Sequence, residues 1–362
     1  MQFTENNLLF LFLVTSSLSF GQIRQEDSYF FKQQGRTEKL GDNSLMLVSA
    51  ASSVTFSFTG NSCEISLQSI NEYGHHAYVS LELDGKYLGR LRVEKELKNY
   101  PIKVVSKGKH SKHTLKIFKA TEASTGGVLF SGTTAKLTST KVKDKKKIEF
   151  IGNSITSGMG NDTKEIPCGQ GEWFDQHNAY FAYGPVLSRN LDVDFQLSSV
   201  SGMGMYRNWN DETEPVMPNV YGNLALNNDA SKPYEFNFKP DIISIALGTN
   251  DFSDGDGTKQ RQPFSKDKFI ANYVNFLKMI YKHDPKVQVV LVNSPMVNGE
   301  RDKVFNDCLE KIQASFKNEK SKPIKIFKFT AMTPHGCTSH PDAEDHQIMA
   351  KQYGPFLKKL LK

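Results

Sequence analysis

The sequence predicts a multidomain protein: an N-terminal β-sandwich of the jelly-roll type, followed by an α/β domain with a parallel sheet flanked by helices. The chain has 362 residues, more than the ~100–150 of one typical domain. Strands with alternating polar and apolar residues fill its first part, and apolar strands alternate with helical patterns after residue 147. These patterns are typical of a sandwich and of a parallel sheet, respectively.

The chain begins with a segment typical of a secretory signal peptide. Residues 8–14 read LLFLFLV, and the segment TSSLSFG, which is rich in small polar residues, follows as far as Gly21. This run is too short to span a bilayer, which takes ~20 apolar residues. We expect a signal peptide at 1–21 and a secreted or periplasmic protein. An uncleaved N-terminal strand is the alternative, because Glu5 stands where a signal peptide usually has Lys or Arg.

Residues 22–140 are predicted to form the β-sandwich. The segment VTFSF at 54–58 has an apolar side chain at every second residue, as in a half-buried strand. A hairpin is predicted where the strand YVSLEL at 78–83 meets Asp84 and Gly85, a pair typical of tight turns. No segment of this domain has a helical period, which favours two packed sheets.

Residues 141–147, with the sequence KVKDKKK, have no apolar face and are predicted to be a solvated linker. A phosphate-binding role for these lysines is the alternative. The α/β domain is predicted at 148–362. Its predicted strands are 148–151, 241–247, 287–292 and 324–329. Between them, apolar residues recur at helical spacing from Phe269 to Ile280 and from Phe305 to Phe316, which predicts helices packed on the sheet.

Three candidate reactive groups each follow a strand of the α/β domain. Ser154 follows the strand at 148–151, Asn250 follows that at 241–247, and His340 lies after the last strand. Open α/β sheets place reactive groups beyond the carboxyl ends of their strands, so we expect the three to meet at one edge. A hydroxyl nucleophile, an imidazole with a pKa near ~6.5 and an amide donor for an oxyanion are what acyl transfer requires.

The same segments carry a family resemblance. IEFIGNSITSGMG at 148–160 resembles the first signature block of SGNH (GDSL-type) hydrolases, with Asn153 where the commonest form has Asp. Three further blocks are resembled by SSVSGMGMYRN around Gly202, by GTND around Asn250, and by the pair His340-Pro341. Together with HNAYFAYG and the preceding β domain, they resemble carbohydrate esterase family 2.

The resemblance implies Ser154 as nucleophile and His340 as its base. It implies an oxyanion hole formed by the backbone N–H groups of Ser154 and Gly202 and the side chain of Asn250; Gly204 competes with Gly202 for this role. It implies removal of O-acetyl groups from plant polysaccharides or oligosaccharides (xylan, mannan or acetylated sugars) through an acetyl-enzyme intermediate. It implies no metal and no organic cofactor.

One position departs from the SGNH pattern. Most members have an Asp three residues before the catalytic His, whereas this chain has Cys337, with no carboxylate in the loop before His340. We therefore predict a Ser–His dyad in which a backbone carbonyl of residues 335–338 accepts a hydrogen bond from His340 Nδ1. The other candidate acceptors, in order, are Thr338 Oγ and a carboxylate of Asp342 or Asp251.

Three aromatic residues near the motifs are candidates for a wall that stacks on sugar rings: Trp173, Tyr206 and Trp209. Core packing is the alternative for each. The chain also has four cysteines without CxxC spacing, which does not suit a zinc site. One disulfide within the second half is allowed, and the sequence leaves its pairing open.

Composition argues against several other classes of protein. Charged residues make up 23% and hydrophobic residues 38%, as in soluble globular proteins. The net charge of +6 comes from scattered lysines rather than a basic stripe, so we expect an acetylated carbohydrate partner, no nucleic acid, no membrane and a monomer. The rival functions are an SGNH esterase for other acyl groups and a carbohydrate-binding protein with an inactive hydrolase domain.

Overall fold

The computed structural model describes residues 30–41, 44–71, 74–104, 112–140, 143–319 and 321–362. The predicted signal peptide at 1–21 lies outside the described residues. Two antiparallel sheets come first along the chain, and a parallel sheet with helices follows. The predicted fold class is therefore confirmed. Within the described ranges, no helix combines the length and the apolar character needed to cross a membrane.

The N-terminal domain is a sandwich of two antiparallel sheets. Its strands are β1 (Phe31–Gln34), β2 (Thr37–Lys39), β3 (Leu45–Leu47), β4 (Ser53–Thr59), β5 (Ser62–Ile70), β6 (Ala77–Leu83), β7 (Lys86–Val93), β8 (Lys98–Lys103), β9 (Lys112–Lys119), β10 (Gly127–Thr133) and β11 (Lys136–Thr138). One sheet has the order β1-β4-β9-β6-β7, with β11 also paired to β4, and the other has the order β2-β3-β10-β5-β8. The chain thus passes repeatedly between the sheets.

Alternate residues of facing strands fill the space between these sheets. Val54 and Phe56 of β4 are fully buried against Ile65 and Leu67 of β5, in the other sheet. This is the period-2 burial that the sequence predicts. The hairpin between β6 and β7 is also confirmed: Asp84 and Gly85, with φ angles of 52° and 78°, form its tight turn.

The second domain has a parallel sheet of order β13-β12-β14-β15-β16. Its strands are β12 (Lys147–Gly152), β13 (Asp194–Ser199), β14 (Ile242–Ala246), β15 (Gln288–Val292) and β16 (Lys325–Phe327). Its helices are α1 (Ser154–Ser157), α2 (Tyr183–Leu191), α3 (Met217–Val220), α4 (Lys266–His283), α5 (Gly299–Ser315) and α6 (Ala343–Leu360). Helices α4 and α5 cover one face of the sheet, and α2 and α6 cover the other.

Strand β13 is absent from the strands that the sequence predicts, because its segment DFQLSS is polar. Gln196 and Ser198 are nevertheless buried, and both donate hydrogen bonds to the buried carboxylate of Glu149 in β12, at 3.0 and 2.6 Å. A buried polar group is tolerated when it is paired in this way. β13 therefore occupies an edge of the sheet without an apolar sequence.

Arg36, between β1 and β2, joins the two domains. Its guanidinium is fully buried and donates to Ser198 Oγ at 3.0 Å and to the carbonyls of Tyr221 and Asn223 at 2.9 and 2.8 Å. Its charge also lies over the Tyr234 ring, 3.9 Å from the centroid. Polar contacts across a buried surface therefore hold the β domain on the α/β domain.

The lysine-rich segment predicted as a linker leads directly into the second domain. Residues 143–146 lie outside strands and helices, and β12 begins at Lys147, the last residue of the predicted linker. Lys146 pairs with Asp241 at 2.9 Å, and Lys145 pairs with Asp192. These ion pairs are exposed and add little stability.

Candidate active site

Ser154 and His340 meet at the carboxyl edge of the parallel sheet. Ser154 is the first residue of α1, directly after β12, and His340 lies just before α6. Asn153 caps α1 by accepting a hydrogen bond from the Ile155 N–H at 3.1 Å. Ser154 Oγ lies 2.7 Å from His340 Nε2. The hydroxyl is therefore within hydrogen-bond distance of a group that can remove its proton.

A backbone carbonyl orients His340, as predicted. Nδ1 of His340 lies 2.8 Å from the carbonyl oxygen of Thr338 and 3.3 Å from Thr338 Oγ1. The Thr338 hydroxyl donates to the Cys337 carbonyl at 2.7 Å, so the carbonyl of Thr338 is the nearer acceptor. With Nδ1–H bound there, Nε2 is left as the acceptor that faces Ser154.

The two carboxylates considered as third candidates are engaged elsewhere. Asp342 caps α6 and accepts from the backbone N–H groups of Glu344 and Asp345 at 2.9 and 2.8 Å. Asp251 accepts from the backbone N–H groups of the loop from 205 to 207. Neither forms a hydrogen bond with His340 among the described residues, which favours the backbone carbonyl as the acceptor for this histidine.

The protonation state of His340 suits a base. Burial lowers its pKa below the ordinary value, against the opposing effect of the backbone carbonyls at Thr338 and Cys337. The imidazole is therefore largely neutral at pH 7 and can accept a proton. A second histidine that the sequence analysis missed, His177, lies nearby; its pKa is lowered to about 3, first by burial and next by the charge of His340.

The candidate oxyanion donors Ser154, Gly202 and Asn250 follow the neighbouring strands β12, β13 and β14. Asn250 is 8% exposed and uses one side-chain N–H to bind the Met203 carbonyl at 2.8 Å, which leaves the second N–H of the amide for a ligand. Gly204 donates its backbone N–H to Asn208 Oδ1 at 3.1 Å. The N–H groups of Ser154 and Gly202 form no hydrogen bond with another described residue. Gly202 is therefore better suited than Gly204 to bind an oxyanion.

Asp251 fixes the loop beside these donors. Its buried carboxylate accepts from the N–H groups of Met205, Tyr206 and Arg207 at 2.9, 2.8 and 3.2 Å. Burial raises the pKa of Asp251 to about 6, although the three N–H donors favour its charged form. Asp251 therefore has a structural role, as the acceptor that fixes the loop from 205 to 207.

Glu122 of the β domain contributes to the same side of the site, and sequence reasoning missed it. It is fully buried, and its Oε2 accepts from the N–H of Ser201 at 2.7 Å, next to Gly202. Burial raises the pKa of this carboxyl group. No local pattern in the segment TEAS at 121–124 indicates this contact, because Glu122 and Ser201 are 79 residues apart and meet only through the packing of the two domains.

The three aromatic candidates differ in exposure. Trp209 is 43% exposed and its ring covers Gly202, where an added Cβ would lie 2.6 Å from the ring. Trp173 is 51% exposed and packs edge-on against His177, with 5.0 Å between centroids. Tyr206 is only 7% exposed; its ring packs in the core and its hydroxyl accepts from the Ser265 N–H. The stacking role predicted for Tyr206 is therefore wrong, and core packing applies.

A disulfide joins the loop before His340 to the exposed loop that carries Trp173. It connects Cys168 and Cys337, so the one disulfide allowed within the second half of the chain is present. Cys63 and Cys308 are free and buried. Cys337, which stands where the SGNH pattern predicts an acidic residue, is therefore a disulfide partner.

One group among the described residues could gather three metal-ligating atoms, from His335, Asp342 and Asp345, all within 4.8 Å of one another. Asp345 already accepts from His335 Nδ1 at 2.9 Å and from the N–H groups of His335 and Asp342. Asp342 caps the same helix. These hydrogen bonds explain why the three residues lie together: they cap the N-terminus of α6.

Comparison with known proteins matches both domains. The family model described as carbohydrate esterase 2 N-terminal matches residues 33–142, and that of the GDSL-like lipase/acylhydrolase family matches residues 150–324. An acetylxylan esterase / glucomannan deacetylase of Cellvibrio japonicus (strain Ueda107) is 32% identical over 259 residues, which are 70% of each chain. The cellulase/esterase CelE of Acetivibrio thermocellus is 27% identical over 94% of this chain, which spans 40% of that relative.

Solved structures show the same two-domain fold. A family two carbohydrate esterase from Clostridium thermocellum, in complex with cellohexaose, superposes with a TM-score of 0.79. The match covers 91% of this chain and 99% of that one, at 24% identity. The arrangement of sandwich and parallel sheet is thus shared over nearly the whole of that esterase.

Proposed function

This chain belongs to carbohydrate esterase family 2 and is a carboxylic ester hydrolase, and on that basis we propose that it removes O-acetyl groups from plant polysaccharides or oligosaccharides. Xylan, mannan and acetylated sugars are the substrates we propose. The observation that carries the proposal is the 2.7 Å contact between Ser154 Oγ and His340 Nε2, beside three candidate oxyanion donors. The relative named an acetylxylan esterase / glucomannan deacetylase supports the substrate class.

The proposed reaction begins with attack of Ser154 Oγ on the acetyl carbonyl carbon while His340 Nε2 takes the hydroxyl proton. The Nδ1–H of the resulting imidazolium stays bound to the Thr338 carbonyl. The oxyanion is bound by the N–H groups of Ser154 and Gly202 and by Asn250 Nδ2. When the tetrahedral intermediate collapses, His340 returns its proton to the departing sugar oxygen, which leaves as a hydroxyl group.

The second half of the reaction hydrolyses the acetyl-Ser154 ester. His340 Nε2 takes a proton from a water molecule as the water attacks the same carbonyl carbon. The second tetrahedral intermediate uses the same donors, and its collapse releases acetate and restores the Ser154 hydroxyl as His340 gives back the proton. Both halves need a base that is neutral before each attack, which agrees with the lowered pKa of His340.

Trp209 and Trp173 are the proposed contacts for the carbohydrate. Both are exposed at the rim of the site, and Trp209 covers the turn that carries the Gly202 donor. An exposed indole face is a large apolar surface on which a sugar ring can pack. A sugar on Trp209 would hold its acetyl group close to the oxyanion donors.

We also propose that the protein acts outside the cytoplasm and as a monomer. Disulfides persist in oxidising compartments, and the Cys168–Cys337 bond fits such a location. All the proposed reacting groups come from one chain, so a single copy can complete the site.

The test is release of acetate from acetylated xylan and glucomannan, together with hydrolysis of 4-nitrophenyl acetate, by the wild type and Ser154→Ala. We expect the variant to lose at least ~10³-fold in kcat, because the nucleophile is gone. Equal rates for the two proteins would contradict the proposal. A wild type that hydrolyses neither polymer but cleaves longer acyl esters would favour the esterase of other acyl groups, and glycan binding without any hydrolysis would favour the binding protein.

A further inference from the structure

The turn that presents the Thr338 carbonyl to His340 has an unusual backbone. Thr338 and Ser339 both have positive φ angles, 52° and 57°, in the left-handed region that non-glycine residues rarely adopt. Both residues are exposed, so side-chain packing does not hold them in this conformation. The conformation must therefore be imposed by the residues on either side.

Cys337 is the buried residue that anchors this turn. It is 5% exposed, and its backbone N–H donates to the Gly160 carbonyl at 2.9 Å. Its carbonyl accepts from the His340 N–H at 3.1 Å and from the Thr338 hydroxyl. Residues on both sides of the Thr338 carbonyl are thus hydrogen-bonded to the backbone of Cys337. The side chain of Cys337 is in turn bonded covalently to Cys168.

We propose that the Cys168–Cys337 disulfide is a positioning device for His340. The disulfide holds the Thr338 carbonyl against His340 Nδ1. In this way it replaces the side-chain carboxylate that orients the histidine of a triad. This inference rests on the proposed dyad. Neither sulfur touches the reacting atoms, so both cysteines act through Thr338 and His340 rather than as catalytic residues.

The geometry explains why such a device matters here. A carboxylate on a side chain can follow a small movement of the imidazole, whereas a backbone carbonyl moves only with its turn. Misplacement of a catalytic group by ~1 Å can cost ~10²-fold in rate. A covalent bond between segments that are 169 residues apart restricts such movement of the turn.

The first test compares Cys168→Ser with the wild type on 4-nitrophenyl acetate, at a temperature well below the melting point of both. We expect kcat to fall ~10- to 100-fold with KM within about two-fold, because the base is misplaced while the substrate surface remains. Cys63→Ala is the matched control, since Cys63 is a free, buried cysteine in the β domain. An unchanged kcat in Cys168→Ser would overturn the proposal.

The second test asks whether a carboxylate can replace the disulfide. In Cys168→Ser/Cys337→Asp we expect kcat to recover ~10-fold over Cys168→Ser. We also expect the acid limb of kcat/KM to move to higher pH than in the wild type, because a nearby carboxylate raises the pKa of an imidazole. Cys168→Ser/Cys337→Asn has the same shape without the charge and should show neither change. If kcat recovered as fully with Asn as with Asp, or did not recover with Asp, the disulfide would only stabilise the fold, and the proposal would be overturned.

Reduction of the wild type covers the case in which these variants do not fold. Incubation with tris(2-carboxyethyl)phosphine should lower the esterase rate in step with the appearance of two new thiols, while far-UV circular dichroism stays unchanged. Full activity of the reduced, folded protein would overturn the proposal. Ser154→Ala separates this outcome from failure of the proposed function: a wild type with serine-dependent hydrolysis and no dependence on the disulfide is still an esterase.

Discussion

On the proposed oxyanion side of the site, buried carboxylates bind the backbone turns, whereas on the histidine side a backbone carbonyl binds the imidazole ring and a disulfide is attached to its turn. Glu122 accepts a hydrogen bond from the N–H of Ser201, and Asp251 accepts hydrogen bonds from the N–H groups of residues 205–207. The nearest acceptor of His340 Nδ1 is the Thr338 carbonyl, at 2.8 Å, and no carboxylate among the described residues forms a hydrogen bond with its ring. Carboxylates thus bind backbone on both sides, since Asp345 accepts from the N–H groups of His335 and Asp342, but the described contacts of the His340 ring include no carboxylate.

The placement of the carboxylates runs against simple charge complementarity. In the proposed reaction a negative charge develops beside Glu122 and Asp251, and a positive charge develops on His340, where no carboxylate is bound. Burial raises the pKa of both acids, and that of Asp251 reaches about 6, so Asp251 still carries most of its charge at pH 7. The comparison indicates that these groups act mainly by fixing backbone geometry, and that rigid dipoles then stabilise the reacting charges.

The largest effect is expected from removing a donor on the oxyanion side. Asn250→Ala should lower kcat by ~10²–10³-fold, because one oxyanion donor is typically worth ~2.7–4 kcal/mol. KM should change little, since the bond forms mainly in the transition state. Steady-state kinetics on 4-nitrophenyl acetate measure both values, and a change in KM alone would place Asn250 in substrate binding instead.

A smaller effect is expected when a support is removed and the donor is kept. Glu122→Ala should lower kcat ~10-fold, because the Ser201–Gly202 turn loses its acceptor, and leaving the Ser201 N–H unpaired should lower the free energy of unfolding by ~1–3 kcal/mol. Glu122→Gln keeps an acceptor oxygen and should restore most of kcat. Kinetics and urea unfolding of the two variants give the answer; equal loss in both would show that the charge of Glu122, rather than its hydrogen bond, is what matters.

The histidine side is expected to set the pH dependence. Only neutral His340 can act as base, so activity falls as the pH decreases through its pKa. Because burial lowers that pKa, the acid limb of kcat/KM should lie below the ordinary imidazole value of ~6.5. A pH–rate profile between pH 4 and 8 locates the limb. A midpoint above ~7 would indicate a carboxylate partner, which raises an imidazole pKa.

Residues that belong to a local pattern could be predicted from the sequence. The buried strands β12, β14 and β15 are mostly apolar, and Ser154, Asn250 and His340 follow strands within short motifs. The backbone acceptor for His340 could also be predicted, because its loop contains no carboxylate. In each case the relevant partners are close in sequence or are dictated by the geometry of a parallel sheet.

The remaining features depend on contacts between distant segments. β13 can be buried because Gln196 and Ser198 donate hydrogen bonds to Glu149. Glu122 contacts the site only because the two domains pack together. The residues next to Tyr206 in the sequence do not indicate that its ring is buried. The burial follows from packing against α4. The pairing of Cys168 with Cys337 likewise follows from the meeting of two loops that the sequence separates by 169 residues.

The central claim is that Ser154 and His340 work without a carboxylate, and Asp342→Asn tests it most directly. Asp342 is the acidic residue nearest to His340 in the sequence, and Asn is an equally good helix N-cap, so α6 keeps its start. The dyad predicts a change in kcat of less than ~10-fold on 4-nitrophenyl acetate. A loss of ~10⁴-fold, as expected when the acid of a triad is removed, would contradict the dyad.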